Sequence, residues 1–180
     1  ARSACVIYFS LRLWYTRNMD IFYTDEPVAG SAFVGRILQE RFGIASPRFF
    51  RGEKGKPYLE NGPVFFSLTH SHGRTFAVFS GQEIGLDAEW RGRPLPEAII
   101  QRLSPAEREK DFFRVWTAKE AYIKFCGGTI AGMLPALRFE HGVLLEHGMP
   151  VSAALTLADH DGYTLAVCAQ TAQPARPQPF

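Results

Sequence analysis

Long apolar runs, paired cysteines and strong net charge are all scarce in this sequence. No stretch of about 18 apolar residues occurs, so no membrane-spanning helix is predicted. The 180 residues include three cysteines, widely spaced in apolar contexts, which favours reduced core thiols in a cytoplasmic protein over a disulfide framework. The net charge is only +2, too weak to indicate a nucleic-acid partner but compatible with an anionic ligand.

The overall composition is that of a soluble globular protein. The chain is 46% hydrophobic and 21% charged, which is ordinary for a folded domain. Its length suits one large domain or two small ones with a substantial core. Residues 4–9 are apolar but too few for a signal peptide, so they predict a first strand.

Residues 113–124 have a clear helical pattern. They contain good helix formers and no glycine or proline, and Gly127-Gly128 predicts the helix end. Lys119 falls in the middle of the apolar face, where a charge is costly without a negative partner. Glu120 and Lys124 are four residues apart and share the edge of that face. The apolar face comprises Phe112, Val115, Trp116, Tyr122, Ile123 and Cys126.

Residues 84–90 alternate as a strand does. Asp87 and Glu89 would project to one side, with apolar side chains on the other. Two adjacent carboxylates repel each other unless a cation lies between them. Oxygen ligands with no cysteine or histidine nearby suit Mg²⁺ or Mn²⁺, and the alternative is a solvated strand face.

Elements of both types are predicted along the rest of the chain. A helix is expected over residues 27–42, and two shorter ones start near Glu97 and after Ser104, where Glu107 could complete a capping box. Residues 52–62 predict a polar loop, and residues 170–180 a loose tail. Strands are predicted at residues 48–51, 64–69, 75–80, 83–90, 136–140, 143–146, 151–158 and 163–169.

Two parts of the chain have similar sequences at an offset of 89 residues. For example, the segment that starts at residue 67 aligns with the segment that starts at residue 156. The aligned pieces predict an α+β fold of two similar halves, each a helix packed on an antiparallel sheet and related by a pseudo-twofold axis. We expect an N-terminal half at residues 1–90, a linker at 91–96, a C-terminal half at 97–170 and a tail at 171–180. A ligand cleft would lie where the halves meet.

Five short motifs follow one another between Gly55 and Gly128. They are Gly55-Lys-Pro57, Phe66-Ser-Leu-Thr-His-Ser71, Gly85-Leu-Asp-Ala-Glu89, Leu103-Ser-Pro-Ala-Glu107 and Trp116-Thr-Ala-Lys-Glu-Ala-Tyr-Ile-Lys124. Together they resemble the 4′-phosphopantetheinyl transferase superfamily, in its longer single-chain (Sfp-like) type. Two positions differ: the family usually has asparagine at Ser67 and serine at Thr69.

The resemblance implies a reaction and its participants. Phosphopantetheine would pass from coenzyme A to a serine of an apo acyl, aryl or peptidyl carrier protein, with Mg²⁺ or Mn²⁺ as cofactor and adenosine 3′,5′-bisphosphate as product. It implies a cytoplasmic monomer with neither a nucleic-acid nor a membrane partner. The fold it implies is the same two-half arrangement, with the ligand between the halves.

The resemblance also assigns residues. It implies Asp87, Glu89 and Glu120 as metal ligands, with Glu120 as ligand, base or both, and Lys119, Lys124 and His70 as phosphate contacts. Asp87, Glu120, Lys124 and His70 would thus form the catalytic set. Lys56 and Pro57 would lie along the adenine, and Arg36 and Arg51 are our choice for the 3′-phosphate. Glu107 matches a family acid near the metal, although the capping box explains it equally well.

Three alternatives stay open at this point. The chain could be a catalytically silent binding module of the same fold, or a metal-dependent nuclease that uses the same carboxylates. Lys119 could be a structural ion-pair residue, facing Asp87 or Glu89, instead of a phosphate ligand. A basic rim formed by Arg91, Arg93, Arg102, Arg108 and Arg114 would steer an acidic carrier or would serve only solubility.

Overall fold

Twelve strands and five α-helices make up the described part of the chain. The computed structural model describes residues 19–172 and 174–180, so the strand predicted at residues 4–9 lies outside the described residues. The helices are α1 (Gly30–Phe42), α2 (Glu97–Ile100), α3 (Pro105–Arg108), α4 (Phe112–Phe125) and α5 (Ile130–Met133). The strands are β1 (Met19–Thr24), β2 (Phe49–Arg51), β3 (Pro57–Leu59), β4 (Phe65–Ser71), β5 (Arg74–Ser80), β6 (Ile84–Trp90), β7 (Leu137–Glu140), β8 (Val143–Glu146), β9 (Met149–Pro150), β10 (Ala154–His160), β11 (Tyr163–Ala169) and β12 (Pro177–Pro179). The predicted α+β class is confirmed.

Two main sheets stack on each other and carry one helix each. Their strand orders are β12-β1-β5-β4 and β10-β11-β6. Apolar side chains of β1, β5, β6 and β11 form the core between the sheets. Helix α1 covers the other face of the first sheet, and α4 covers the other face of the second. No described helix is long and apolar enough to span a membrane.

The two central hairpins repeat the offset found in the sequence. Hairpins β4–β5 and β10–β11 have equal lengths and equivalent registers, with Phe65 opposite Ser80 and Ala154 opposite Ala169. Strands β1 and β6 complete them by pairing antiparallel with β5 and β11. The helices do not keep the offset, because α1 begins at Gly30 and α4 at Phe112. A pseudo-twofold axis between two halves therefore stays a prediction.

Strand pairing changes two of the predicted boundaries. We assigned β6 to the N-terminal half, but it pairs along its whole length with β11 and so belongs to the C-terminal sheet. We predicted a loose tail, but β12 pairs in parallel with β1. Phe180 then packs edge-on against Phe22 and Phe33. The apolar contacts of its last residue anchor this segment despite its prolines.

Helix α4 is almost where the pattern predicts it. Asp111 caps its start by accepting from the backbone N–H groups of Phe113 and Arg114. The predicted apolar face is buried as far as Ile123, but Cys126 is exposed. The buried free thiol in the described residues is Cys168.

Two smaller predictions of element boundaries also differ from the structure. Helix α1 begins at Gly30 instead of Pro27, and the predicted loop at residues 52–62 contains β3, which pairs with β2. The predicted capping-box pair stands at the start of α3, where Glu107 Oε2 accepts from the Ser104 N–H at 2.9 Å.

Candidate active site

A glycine lets helix α4 lie close against strand β6. Gly85, Asp87 and Glu89 share the face of β6 that is turned away from the inter-sheet core. A Cβ atom at Gly85 would collide with the carbonyl oxygen of Ala121 and the backbone nitrogen of Phe125. Only glycine permits this approach, which brings the last turns of α4 to the carboxylates of β6.

Charged side chains from β6 and α4 meet at this contact. The Lys124 ammonium lies 2.8 Å from Asp87 Oδ1 and 3.8 Å from Glu120 Oε2. Arg93 binds Glu89 Oε1 at 2.8 Å. The structure thus brings Asp87, Glu120 and Lys124 together as predicted. Asp87 is only 3% exposed, so the alternative of a solvated strand face is wrong.

Burial and crowding perturb the acids of this cluster. Burial, reinforced by the negative charge of Asp87, raises the pKa of Glu120 to about 7. The pKa of Glu89 is raised by the same two causes, although Ser71 and Arg93 oppose the shift. Burial and neighbouring like charges are the usual source of such shifts.

The donor set fits a hard divalent cation. It consists of carboxylates, and the buried Asp87 Oδ2 has no hydrogen-bond partner among the described residues. As the side chains stand, no three described His, Cys, Asp or Glu residues form a metal-binding group. Lys124 and Arg93 neutralise two of the carboxylates instead. For Asp87, Glu89 and Glu120 to bind one ion together, the side chains of this cluster must therefore rearrange.

Hydroxyl groups of β4 contact the same acids. Thr69 donates to Asp87 Oδ1 and Ser71 donates to Glu89 Oε2, both at 2.9 Å. The sequence interpretation missed this role, because it treated Thr69 only as a departure from a family pattern. The alternation of hydroxyls along β4 was the signal that could have revealed it.

A cleft of about 590 Å³ opens beside the acids. The predicted residues Arg51, Lys56, Pro57 and Lys124 line it. The sequence interpretation missed several other lining residues, notably Gly30, Ser31, Phe50 and Leu68. His70 is exposed on β4, two residues beyond Leu68 on the same face of the strand.

The start of α1 forms one wall of the cleft. Gly30 and Ser31 occupy its first turn, which has no acidic residue and no capping side chain. Its free N–H groups and dipole favour an anion. On another wall, Arg51 donates to the carbonyl oxygen of Gly55 at 2.8 Å.

Lys56 has a structural contact that the sequence did not predict. Its ammonium binds Glu83 and also donates to the carbonyl oxygen of Ile84 at 2.8 Å. Burial lowers the pKa of Lys56 while Glu83 opposes the shift. Lys56 therefore ties the β2–β3 hairpin to the start of β6, and its side chain forms part of the cleft wall.

Two residues predicted to contact the ligand do not line the cleft. Lys119 is fully buried, and its ammonium lies 2.6 Å from the equally buried Glu107, so it cannot reach a ligand in the cleft. The structural ion pair is thus correct, but the partner is neither Asp87 nor Glu89. Arg36 is not among the residues that line the cleft, and its guanidinium binds Glu26 at 3.2 Å.

The predicted basic rim is largely neutralised by acids. Arg91 binds Asp111 and Arg114 binds Asp159, each at 2.7 Å, while Arg93 binds Glu89. These pairs reduce the positive field that the sequence alone suggests.

Sequence comparisons agree with the motifs and the site. The profile of the 4′-phosphopantetheinyl transferase superfamily matches residues 83–168. The 4′-phosphopantetheinyl transferase AcpT of Salmonella typhi is 31% identical over 166 residues, which cover 82% of this chain and 80% of that protein. The 4′-phosphopantetheinyl transferase psf-1 of Bacillus pumilus is 30% identical over 173 residues, covering 81% of this chain and 70% of that protein. The corresponding HetI protein of a Nostoc species is 33% identical over 125 residues, covering 57% of this chain and 52% of that protein.

The matched segment begins just before β6 and ends at β11, so it contains the acids, Lys124 and the helix that brings them together. Similarity to AcpT and psf-1 extends over most of both chains. The predicted family and enzyme class are confirmed: this chain belongs to the 4′-phosphopantetheinyl transferase superfamily and is an enzyme of that superfamily.

Proposed function

We propose that this enzyme transfers 4′-phosphopantetheine from coenzyme A to a serine of an apo carrier protein and releases adenosine 3′,5′-bisphosphate. One observation carries the proposal: Lys124 lines the cleft while its ammonium contacts Asp87 Oδ1 at 2.8 Å. A pyrophosphate bound at Lys124 would contact the positively charged ammonium group and would lie beside the carboxylate cluster. Transfer of a phosphoryl-type group depends on such local charge stabilisation.

The cleft offers suitable groups for the rest of coenzyme A. We assign Arg51 and Ser31 to the 3′-phosphate, because Arg51 is cationic and the first turn of α1 has free N–H groups. We assign the adenine to the wall formed by Pro57 and Phe50. Phe50 is 48% exposed, so its ring can stack on a base.

We assign Asp87, Glu89 and Glu120 to a bound Mg²⁺ or Mn²⁺ ion. The support is the all-oxygen donor set and the unpartnered Asp87 Oδ2. When bound, the cation would stabilise negative charge on the pyrophosphate. Lys124 would then contact the phosphates, and His70 would reach them from the exposed side of β4.

The chemical step also needs a proton acceptor. The serine Oγ forms a bond to the phosphorus that carries pantetheine, and the bond from that phosphorus to the bridging oxygen breaks. We assign the serine proton to Glu120, because its carboxylate belongs to the acid cluster and lies beside Lys124, which lines the cleft.

We propose an apo acyl, aryl or peptidyl carrier protein as acceptor and a cytoplasmic monomer of the longer single-chain type as the enzyme. The similarity to the 4′-phosphopantetheinyl transferases AcpT and psf-1 supports the transfer of phosphopantetheine. Size-exclusion chromatography with light scattering tests the monomer: a mass near 20.2 kDa is expected, and twice that mass contradicts it.

The direct test is a mass measurement on the acceptor. Purified apo acyl and apo peptidyl carrier proteins are incubated with the enzyme, coenzyme A and Mg²⁺, and then weighed. A gain of one phosphopantetheine on the wild-type carrier, absent with EDTA and absent from a carrier whose serine is replaced by alanine, is the expected result. Coenzyme A binding without any mass gain would instead indicate a silent binding module.

A further inference from the structure

A row of hydroxyl groups joins the edges of the two main sheets. Strand β4 ends one sheet and β6 ends the other. Ser67, Thr69 and Ser71 occupy alternate positions of β4, and each reaches β6 through its side chain. Ser67 accepts from the Leu86 N–H at 3.0 Å, whereas the other two contact carboxylates.

The direction of these hydrogen bonds is determined by the partners. A carboxylate can only accept, so the Thr69 hydroxyl must donate to Asp87 Oδ1. Ser71 Oγ accepts from the Trp90 N–H at 3.0 Å and gives its one proton to Glu89 Oε2 at 2.9 Å. Both hydroxyl protons are therefore committed to carboxylates, and both donors stand on a strand within a sheet.

Each carboxylate thus has one oxygen held by β4 and a second oxygen directed elsewhere. Asp87 Oδ1 accepts hydrogen bonds from Thr69 and Lys124, while the buried Oδ2 has no hydrogen-bond partner in the described chain. Glu89 Oε2 accepts a hydrogen bond from Ser71, while Oε1 contacts Arg93. The hydroxyls fix the rotation of both groups and leave Asp87 Oδ2 as an available ligand atom.

We infer that Thr69 and Ser71 are positioning residues that orient Asp87 and Glu89 for a divalent cation. This inference rests on the proposed function, which assigns the cation to these acids. Groups that hydrogen-bond to metal ligands typically change metal affinity or activity by about 10- to 100-fold when removed. In this arrangement the hydroxyls would act through the carboxylates, because they donate their protons to Asp87 and Glu89.

Direct metal binding gives the test. Mn²⁺ is titrated into wild-type protein and variants with saturating coenzyme A, and free Mn²⁺ is measured by electron paramagnetic resonance. Thr69→Val keeps the shape of the side chain and removes the hydroxyl, so Mn²⁺ should bind about 10- to 100-fold more weakly. Thr69→Ser retains the donor and should bind as wild type does.

A matched control separates positioning from the loss of any buried hydroxyl. Thr117 is fully buried on α4, and its hydroxyl donates to the carbonyl oxygen of Phe113 at 2.7 Å. Thr117→Val should leave Mn²⁺ affinity unchanged. In transfer assays, Thr69→Val should raise the Mg²⁺ concentration for half-maximal rate by the same factor, with most of the rate recovered at saturating Mg²⁺.

Circular dichroism checks that each variant folds. If Thr69→Val does not fold, Ser71→Ala provides a second measurement, at Glu89. Folded Thr69→Val or Ser71→Ala with wild-type Mn²⁺ affinity overturns the role of that hydroxyl if Asp87→Asn binds more weakly. Normal Mn²⁺ binding by Asp87→Asn overturns the metal assignment and the inference together. A third outcome separates the two proposals. If the wild-type enzyme transfers no phosphopantetheine but Thr69→Val still binds Mn²⁺ more weakly than wild type, the proposed function is overturned and the inference is supported.

Discussion

The Lys119 ammonium lies 2.6 Å from Glu107 Oε1, and neither side chain is exposed to solvent. The contact is an ion pair with poor hydrogen-bond alignment, because Lys119 Nζ makes no well-aligned hydrogen bond in the described chain. Glu107 also accepts from the backbone N–H groups of Ser104 at 2.9 Å and Phe139 at 2.7 Å. One carboxylate therefore connects α3, α4 and β7.

Glu107 is ionised in this setting. Burial alone would raise its pKa, but the ion pair with Lys119 and the hydrogen bonds from the Ser104 and Phe139 N–H groups together hold that pKa below its ordinary value. An ionised carboxylate at the centre of three elements is stabilising only while its cation is present.

Lys119→Met should therefore destabilise the fold strongly. It leaves Glu107 as an uncompensated buried charge, so the free energy of unfolding should fall by about 3–5 kcal/mol. Coenzyme A affinity of the folded variant should stay near that of wild type. Urea unfolding and a coenzyme A titration on the same protein measure both quantities.

Two further variants sharpen this prediction. Lys110→Met changes an exposed lysine before α4 and should leave stability nearly unchanged. Adding Glu107→Gln to Lys119→Met removes both charges but keeps an amide oxygen as acceptor for the backbone N–H groups, and should recover much of the lost stability. If Lys119→Met keeps wild-type stability and loses coenzyme A affinity, the phosphate contact that we reject for Lys119 would be correct.

Local patterns predicted the elements of the site, and long-range pairing determined its details. Alternation in β6 and the helical period of α4 are properties of neighbouring residues, so the strand and the helix that carry Asp87, Glu120 and Lys124 could be predicted. The family resemblance then assigned these residues to a site. The partner of Lys119 depends on where the short helix α3 docks, and no local pattern encodes that position. The pairing of β12 with β1 is likewise invisible locally, since it joins residues at opposite ends of the described chain.

Phe180→Ala tests the anchored C-terminal segment. The Phe180 ring lies edge-on to Phe22 and Phe33, with the Arg36 guanidinium 5.2 Å from its centre. Because the ring is only partly buried, the variant should lose about 1–3 kcal/mol of unfolding free energy, less than a fully buried phenylalanine would. Gln178→Ala, an exposed change in β12, should cost much less. Equal urea midpoints for both variants would mean that the ring does not anchor the segment.

Asp87→Asn should reduce transfer far more than stability. The amide keeps the shape of the side chain but loses the charge that contacts Lys124 and, in our proposal, the metal. We expect the rate at fixed Mg²⁺ to fall about 10²-fold or more. Asp25→Asn is the matched control, because Asp25 is exposed and binds Arg74 through an ion pair outside the acid cluster. Transfer rates from the carrier mass assay compare the two, and equal rates would remove Asp87 from the site.

Glu120 should titrate near neutrality in the metal-free protein. Burial and then the charge of Asp87 raise its pKa to about 7, while Lys124 opposes the shift. Carbon-detected NMR should therefore show one carboxyl resonance that titrates near pH 7 and disappears in Glu120→Gln. Asp87→Asn should lower that pKa, because it removes a neighbouring negative charge. A Glu120 resonance that titrates near its ordinary value of 4.5 would contradict the buried, crowded setting.

The same shift predicts how stability depends on pH. Because the folded protein binds this proton more tightly than the unfolded chain does, the contribution is fully present below pH 4.5 and is lost as pH rises through about 7. The unfolding free energy of wild type minus that of Glu120→Gln should thus fall by about 3 kcal/mol between those limits. Urea unfolding at half-unit pH steps measures the difference. A constant difference across the range would mean that folding leaves the proton affinity of Glu120 unchanged, and so would rule out Glu120 as an acceptor tuned by its surroundings.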